Sequence, residues 1–232
     1  MTRRALWLTA GMAVLLSGCG HATEGYILPD RVTEFSVLYK DNCAGCHGVD
    51  GRFGAARPLN DPMYLAVIGT EQMRGVIAKG VPGTAMTGFA QSGGGTLTDQ
   101  QIAILAANIE ARWARPQEFS GVNLPPYRDD LGDPVRGEAV FKSYCSTCHS
   151  DNARGGTASN SVIDPALLAL VSDQAIRTTV ITGRVDLGMP NWKNHSHGHA
   201  LTPQEISDVV AWLSSHRTLA ITTVRKGTSS HD

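Results

Sequence analysis

Two copies of one cysteine-histidine motif constrain the fold of this chain more than any other feature. They are Cys43-Ala-Gly-Cys46-His47 and Cys145-Ser-Thr-Cys148-His149. Two thiols three positions apart lie on one helical turn, where both can form thioethers with the vinyl groups of a haem, and the next residue then points at the iron. The motifs therefore predict two covalently bound haem c groups, with His47 and His149 as ligands of the iron.

The remaining cysteines and histidines favour no other chemistry at these motifs. The chain has five cysteines, and the fifth is Cys19. A thioredoxin-like C-x-x-C would follow a strand in a βαβ pattern, which the sequence lacks. A zinc site would need more cysteines or histidines nearby, but the next histidine after His47 is His149. We therefore expect neither a structural disulfide nor a zinc site.

The N-terminus has the pattern of an exported lipoprotein. Arg3 and Arg4 precede an apolar run over residues 5–16, which is shorter than the roughly 20 residues of a transmembrane helix. The next residues, Leu16-Ser-Gly-Cys19, resemble the lipobox of bacterial lipoproteins, and the resemblance implies lipid on Cys19. The chain would then be anchored in a bacterial membrane and face the periplasm or the cell exterior. The alternative is ordinary signal cleavage, which leaves a free thiol.

A repeat of about a hundred residues surrounds the two motifs. Three landmarks pair at offsets of 102, 103 and 104 residues: Cys43 with Cys145, Met86 with Met189, and Leu97-Thr98 with Leu201-Thr202. Such self-similarity indicates tandem domains. The predicted division is a signal peptide at 1–18, a lipid-anchored tether at 19–30, a first domain at 31–115, a linker at 116–133, a second domain at 134–217 and a flexible tail at 218–232.

Both copies have the cap signals of helical domains. The predicted helix starts are Asp61-Pro62, Thr70, Thr98, Ser172 and Thr202, and the predicted ends are Ile68, Gly80 and Gly183. The starts at Thr98 and Thr202 are capping boxes, followed by apolar residues that recur on one helix face. The sequence therefore predicts an all-α fold.

The order of helix, C-x-x-C-H, loop, helix, methionine and final helix resembles the class I cytochrome c domain, twice over. In that family a glycine and an aromatic residue of the first helix pack against an aromatic residue of the last, which Gly137, Phe141 and Trp212 match. In the first copy Phe35 replaces the glycine, and Asn108 aligns with the tryptophan. We interpret this difference as an exchange of volume across the helix crossing.

The resemblance also implies a methionine as the sixth ligand of each iron. Met86 and Met189 lie in the loops before the last helices, 39 and 40 residues after the haem histidines. A thioether ligand raises the reduction potential of the iron relative to a second histidine. Met63 and Met73 are rivals in the first copy, but both fall in predicted helices, where core packing is expected.

Two further features surround these ligands. By the same resemblance Pro58, eleven residues after His47, supplies the carbonyl that accepts the proton of the proximal imidazole. In the second copy Pro165 lies sixteen residues after the histidine, and its equivalence stays open. A cluster of histidines precedes the last helix, and we expect it to be solvated, with metal binding or competition with Met189 as alternatives: it comprises His195, His197 and His199.

The sixth ligand decides the expected function. An iron closed on both faces transfers electrons, whereas an open iron binds or activates small molecules. The resemblance implies an electron carrier, not an enzyme, between respiratory partners such as a quinol-oxidising complex of the cytochrome bc type and a terminal oxidase. The alternatives are a haem enzyme such as a two-haem peroxidase, and a fixed cytochrome c subunit of a larger redox complex. The net charge of −1 gives no indication of nucleic-acid binding.

Overall fold

A computed structural model of the chain describes residues 26–193 and 199–217. In these ranges the secondary structure consists of helices and turns, without β-strands, so the predicted all-α fold is confirmed. The α-helices are α1 (Phe35–Asn42), α2 (Ala44–His47), α3 (Pro62–Lys79), α4 (Asp99–Trp113), α5 (Pro134–Tyr144), α6 (Ser146–His149), α7 (Pro165–Leu170), α8 (Asp173–Thr182) and α9 (Pro203–Ser215). Short 3-10 helices cover Pro29–Arg31, Gln91–Gly93, Pro116–Phe119 and Val185–Leu187.

Some predictions lie outside the described residues. These are the signal peptide, the lipidation site Cys19, His195, His197 and the tail at 218–232. Among the helices of the two described ranges, none combines the length and the apolar character needed to cross a membrane. We call α1–α4 the first domain and α5–α9 the second domain.

Four of the five predicted helix starts are confirmed by their caps, whereas Thr70 lies inside α3 directly after its kink. The Asp61 side chain accepts hydrogen bonds from the first amides of α3, and Ser172 does the same for α8. Thr98 and Thr202 form complete capping boxes at α4 and α9. The predicted break after Ile68 is a kink inside α3 at Gly69, whose positive φ of 63° interrupts the helix.

The repeat in sequence is also a repeat in backbone conformation. The helix α7 begins at Asp164-Pro165 with the same aspartate cap as α3, so Pro165 corresponds to Pro62 and not to Pro58. Gly80 and Gly183 end α3 and α8 with the same φ of 70° and ψ of −169°. Each glycine therefore turns the chain from a helix into a methionine loop in the same way.

The helix crossing in the second domain is tight because α5 carries a glycine. A Cβ atom on Gly137 would overlap the carbonyl of Asp208 and crowd Trp212. The ring of Phe141 packs at 4.5 Å from that of Trp212, measured between centroids. The predicted contact between the first and last helices of this domain is thus confirmed.

The first domain fills the same crossing with different residues. Phe35 and Tyr39 of α1 contact the ring of Trp113, with centroids 6.5 and 5.4 Å away, and the guanidinium of Arg112 lies over Phe35. Asn108 donates its side-chain amide to the carbonyl of Ile104 on its own helix. The aromatic partner of α1 is therefore Trp113, five residues beyond the position that the cap alignment indicates.

The two domains share apolar contacts. Met73 is buried in the core of the first domain, as expected. Met63 and Val67, also on α3, pack instead with residues of the second domain, including Ile181 and Trp192. The predicted core role of both methionines is confirmed, but Met63 serves the interface between the domains.

The linker packs against the second domain. The carbonyls of Pro126 and Tyr127 accept hydrogen bonds from Arg177 and Gln174 of α8. The amide of Gly132 donates to the carbonyl of Ser207 in α9. These contacts fix the path of the chain between the domains.

Gly137→Ala is expected to destabilise the protein by about 1–3 kcal/mol, because the added methyl group forces α5 away from α9. Thermal unfolding of the haem-loaded protein measures this effect. Val135→Ala on the same helix is the control, since the Val135 side chain is 79% exposed and its loss should leave the midpoint within error. Equal midpoints for the two variants would contradict the tight crossing.

Candidate haem sites

The two C-x-x-C-H motifs adopt the same turn. In each, the amides of the second cysteine and of the histidine donate to the carbonyl of the first cysteine, at 3.2 and 2.9 Å. None of the four motif cysteines is paired in a disulfide within the described residues: Cys43, Cys46, Cys145 and Cys148. Burial is the main cause that raises the pKa of Cys43 to about 11 and that of Cys145 to about 12. An uncharged thioether suits these positions, so the motif residues fit two covalently bound haem groups.

The histidine of the first motif is oriented by a backbone carbonyl. His47 Nδ1 lies 2.8 Å from the carbonyl oxygen of Arg57. Because a carbonyl only accepts, Nδ1 carries the proton and the lone pair of Nε2 is free for iron. Burial lowers the pKa of His47, against the opposing effect of this hydrogen bond, which favours the neutral ring that a metal requires.

The acceptor differs by one residue from the predicted one. Pro58 was predicted to supply the carbonyl, and the structure gives that role to Arg57. The Arg57 carbonyl belongs to the peptide bond that joins Arg57 to Pro58. A proline holds the preceding residue in an extended conformation, so Pro58 orients the acceptor without being it.

The histidine of the second motif is oriented by a side chain instead. His149 Nδ1 lies 2.9 Å from the hydroxyl of Ser159, which donates its own proton to the carbonyl of Cys148. The hydroxyl therefore accepts from Nδ1, and Nε2 is again free. Burial lowers the pKa of His149, which favours the neutral ring here too. Ser159 has no signal in the sequence except its position ten residues after the histidine, which is also the position of Arg57.

The loops that carry the methionines are closed by backbone contacts. Val81 donates to the carbonyl of Met86 at 2.8 Å, and Arg184 exchanges two hydrogen bonds of 3.0 Å with Met189. Both methionine residues are half-buried. A Cβ atom on Gly80 or Gly183 would overlap the backbone of these loops. Each loop therefore returns to the end of its helix only because a glycine lies there.

The third residue after each methionine is an aromatic with the same backbone partners. Phe89 and Trp192 donate to Ile77 and Ile181 at 3.0 Å. The indole N–H of Trp192 is buried and has no acceptor among the described residues. Unpaired buried donors are rare, and a haem carries two propionate acceptors that could satisfy this one. This orphaned donor supports the fit of the second domain to a haem.

The histidine cluster contributes one described residue. His199 lies 2.7 Å from the hydroxyl of Tyr144 and 3.3 Å from a carboxylate oxygen of Glu205. Its side chain is 58% exposed, so His199 is solvated as expected, with these two neighbours beside it. Within residues 26–193 and 199–217, no group of three or more histidine, cysteine or acidic side chains could hold a metal ion.

Known proteins share the pattern of both domains. Residues 30–109 and 132–213 each match the family described as cytochrome c oxidase, cbb3-type, subunit III. The cbb3-type cytochrome c oxidase subunit FixP of Bradyrhizobium sp. (strain ORS 278) is 27% identical over 189 residues, which are 77% of this chain and 59% of the relative.

Two further relatives match a shorter stretch. The subunit CcoP of Azospirillum sp. (strain B510) is 29% identical over 131 residues, 52% of this chain and 40% of the relative. The cytochrome bc1 complex cytochrome c subunit of Corynebacterium diphtheriae is 27% identical over 136 residues, 51% of this chain and 43% of the relative. This chain therefore spans 40% to 59% of the length of these three relatives.

Gly183→Ala is expected to displace the Met189 loop, because the added methyl group overlaps it. With Met86 and Met189 as the expected iron ligands, the near-infrared charge-transfer band of methionine-ligated ferric haem should lose about half its intensity, since only one of the two ligands is displaced. Gly80→Ala should remove the other half. Gly93→Ala is the control: this glycine has an ordinary φ and open space around its Cβ position. A full band in Gly183→Ala would show that the loop tolerates a side chain there.

Proposed function

Because the chain belongs to the family of cbb3-type cytochrome c oxidase subunit III, we propose that it is a two-haem electron-transfer protein of a respiratory complex. His47 and Met86 would bind the first iron, and His149 and Met189 the second. The observation that carries the proposal is that both sites hold their histidine and their methionine loop in the same way. Each histidine donates its Nδ1 proton to an acceptor, and each methionine loop is hydrogen-bonded to the backbone at a helix end.

The protein's own part in this activity is to orient ligands and exclude water. The haem groups supply the one-electron chemistry of iron. The carbonyl of Arg57 and the hydroxyl of Ser159 fix the planes of the two imidazoles. The thioethers of Met86 and Met189 would occupy the sixth positions and raise both potentials. An iron held in this way has no free position for a substrate, which separates a carrier from a peroxidase.

The names of the relatives suggest where such a protein would work. They are subunits of a cbb3-type oxidase and of a bc1 complex. We propose that this chain exchanges electrons with a quinol-oxidising complex on one side and a terminal oxidase on the other. The same names favour a fixed subunit of a larger complex as the second candidate, in which the chemistry stays the same and only the lifetime of the contact changes.

The reduced wild-type protein is expected to keep its visible spectrum when carbon monoxide is added under anaerobic conditions, because both irons would have two strong ligands. Met189→Ala should form a carbon monoxide adduct on about half of the haem, and Met86→Ala on the other half.

The control for this measurement is Met63→Leu, which keeps the volume of a buried methionine and should cost less than about 1.5 kcal/mol without opening an iron. A carbon monoxide adduct in the wild-type protein would contradict the carrier and make the haem enzyme the leading alternative.

We also propose that lipid on Cys19 holds the protein at the bacterial membrane, facing the periplasm or the cell exterior. Cys19→Ser is expected to abolish incorporation of labelled fatty acid and to move the protein into the soluble fraction after a salt wash. Ser17→Ala keeps a small residue in the lipobox and should behave like the wild type. If Cys19→Ser still incorporates the labelled fatty acid, the lipid is attached to a different residue and the proposal is wrong.

A further inference from the structure

The side chain of Arg57 crosses from the first domain to the second. Its Nη1 atom donates to the hydroxyl of Thr182 at 2.6 Å, and its Nη2 atom donates to the hydroxyl of Thr179 at 2.7 Å. A longer contact of 3.4 Å reaches the carbonyl of Gly183. All three acceptors lie at the C-terminal end of α8 or directly after it. The guanidinium of Arg57 therefore binds the C-terminal end of α8, where the Met189 loop begins.

The acceptors are arranged for a donor that comes from outside the helix. The hydroxyl protons of Thr179 and Thr182 are donated to the carbonyls of Ala175 and Thr178, four residues earlier in α8. Their lone pairs are therefore left to accept from Arg57. Because Thr182 is fully buried, the contact is shielded from water.

The repeat shows that this contact is specific to the pairing of the domains. With Gly80 matched to Gly183, the positions of Thr179 and Thr182 in the first domain are Val76 and Lys79, which have no hydroxyl. The position of Arg57 in the second domain is Ser159, whose side chain is used by its own histidine. The fold that the two domains share therefore requires neither the arginine nor the two threonines of this contact.

The same residue also holds the proximal ligand of the first haem. Its carbonyl accepts the Nδ1 proton of His47, and its guanidinium reaches the carbonyl of Gly183. The next residue, Arg184, exchanges two backbone hydrogen bonds with Met189. We propose that Arg57 is a positioning residue that joins the proximal side of the first haem to the methionine loop of the second, and fixes the two haem domains against each other. This inference rests on the proposed two-haem electron transfer.

The charge of Arg57 adds an electrostatic effect to the mechanical one. Arginine stays protonated in proteins, and within the described residues no carboxylate lies at ion-pair distance from this guanidinium. Asp61 and Asp186 attract it from farther away, and Arg184 repels it. An incompletely neutralised cation between two haem sites stabilises the ferrous over the ferric state, since reduction removes one positive charge from each iron.

The experiment compares four haem-loaded variants with the wild type, by redox titration of both irons and by small-angle X-ray scattering of the domain pair. Arg57→Met removes the hydrogen bonds and the charge. It is expected to lower both midpoint potentials and to increase the radius of gyration. Arg57→Lys keeps the charge without the planar fork, so the radius should increase while the potentials fall less than in Arg57→Met.

Two variants separate the contact from general damage to the loop. Thr179→Val together with Thr182→Val removes the acceptors but keeps Arg57 and its carbonyl, and should increase the radius of gyration. Arg52→Met changes an exposed arginine five residues away and should change neither quantity. Wild-type scattering in both Arg57→Met and the double valine variant would overturn the proposal.

These measurements distinguish a failure of the proposed carrier function from a failure of the proposed role of Arg57. If the wild-type protein binds carbon monoxide, the carrier function is wrong, but the scattering comparison still decides whether Arg57 joins the domains. If carbon monoxide does not bind and the Arg57 variants scatter and titrate like the wild type, the carrier stands and the positioning role is wrong.

Discussion

The orientation of the imidazoles of His47 and His149 is the constraint on which the rest of each domain depends. A C-x-x-C-H turn places two thiols and a histidine within five residues, but the ring can still rotate unless its other nitrogen is held. The first domain holds it with the Arg57 carbonyl and the second with the Ser159 hydroxyl. Domains this small have little apolar core of their own, so a haem bound in this way would be a large part of the interior.

Features that depend on a few neighbouring residues were predictable from the sequence. An aspartate before a proline, a threonine three residues before a glutamine or glutamate, and a glycine that ends a helix each act within one turn of the chain. For this reason the starts of α3, α4 and α9 agree with their predictions. The contact of Gly137 with α9 was also predictable, because a family resemblance supplied the long-range partner.

Contacts between distant parts of the chain were not predictable in this way. Trp113 packs on α1 although Asn108 occupies the aligned position. The large indole ring can reach the crossing of α1 and α4 from a position about one and a half turns farther along α4. Met63 is buried as expected, yet its neighbours belong to the other domain. The role of Ser159 is performed by a carbonyl in the first domain, so no shared residue type marks it.

The two domains differ most where they touch each other or surround the iron ligands. The carbonyl of Arg57 holds the imidazole of His47, while its guanidinium binds the end of α8 in the second domain. Only the second domain has, at Trp192, a buried indole N–H without an acceptor among the described residues. Charges and hydrogen-bond donors near a haem shift its potential, so unequal surroundings would give unequal potentials even if both irons had the proposed histidine and methionine ligands. Such an inequality would give an electron a preferred direction between two irons. Duplication alone would supply two equal sites, and it is the divergence at Arg57, Ser159 and Trp192 that makes them distinct.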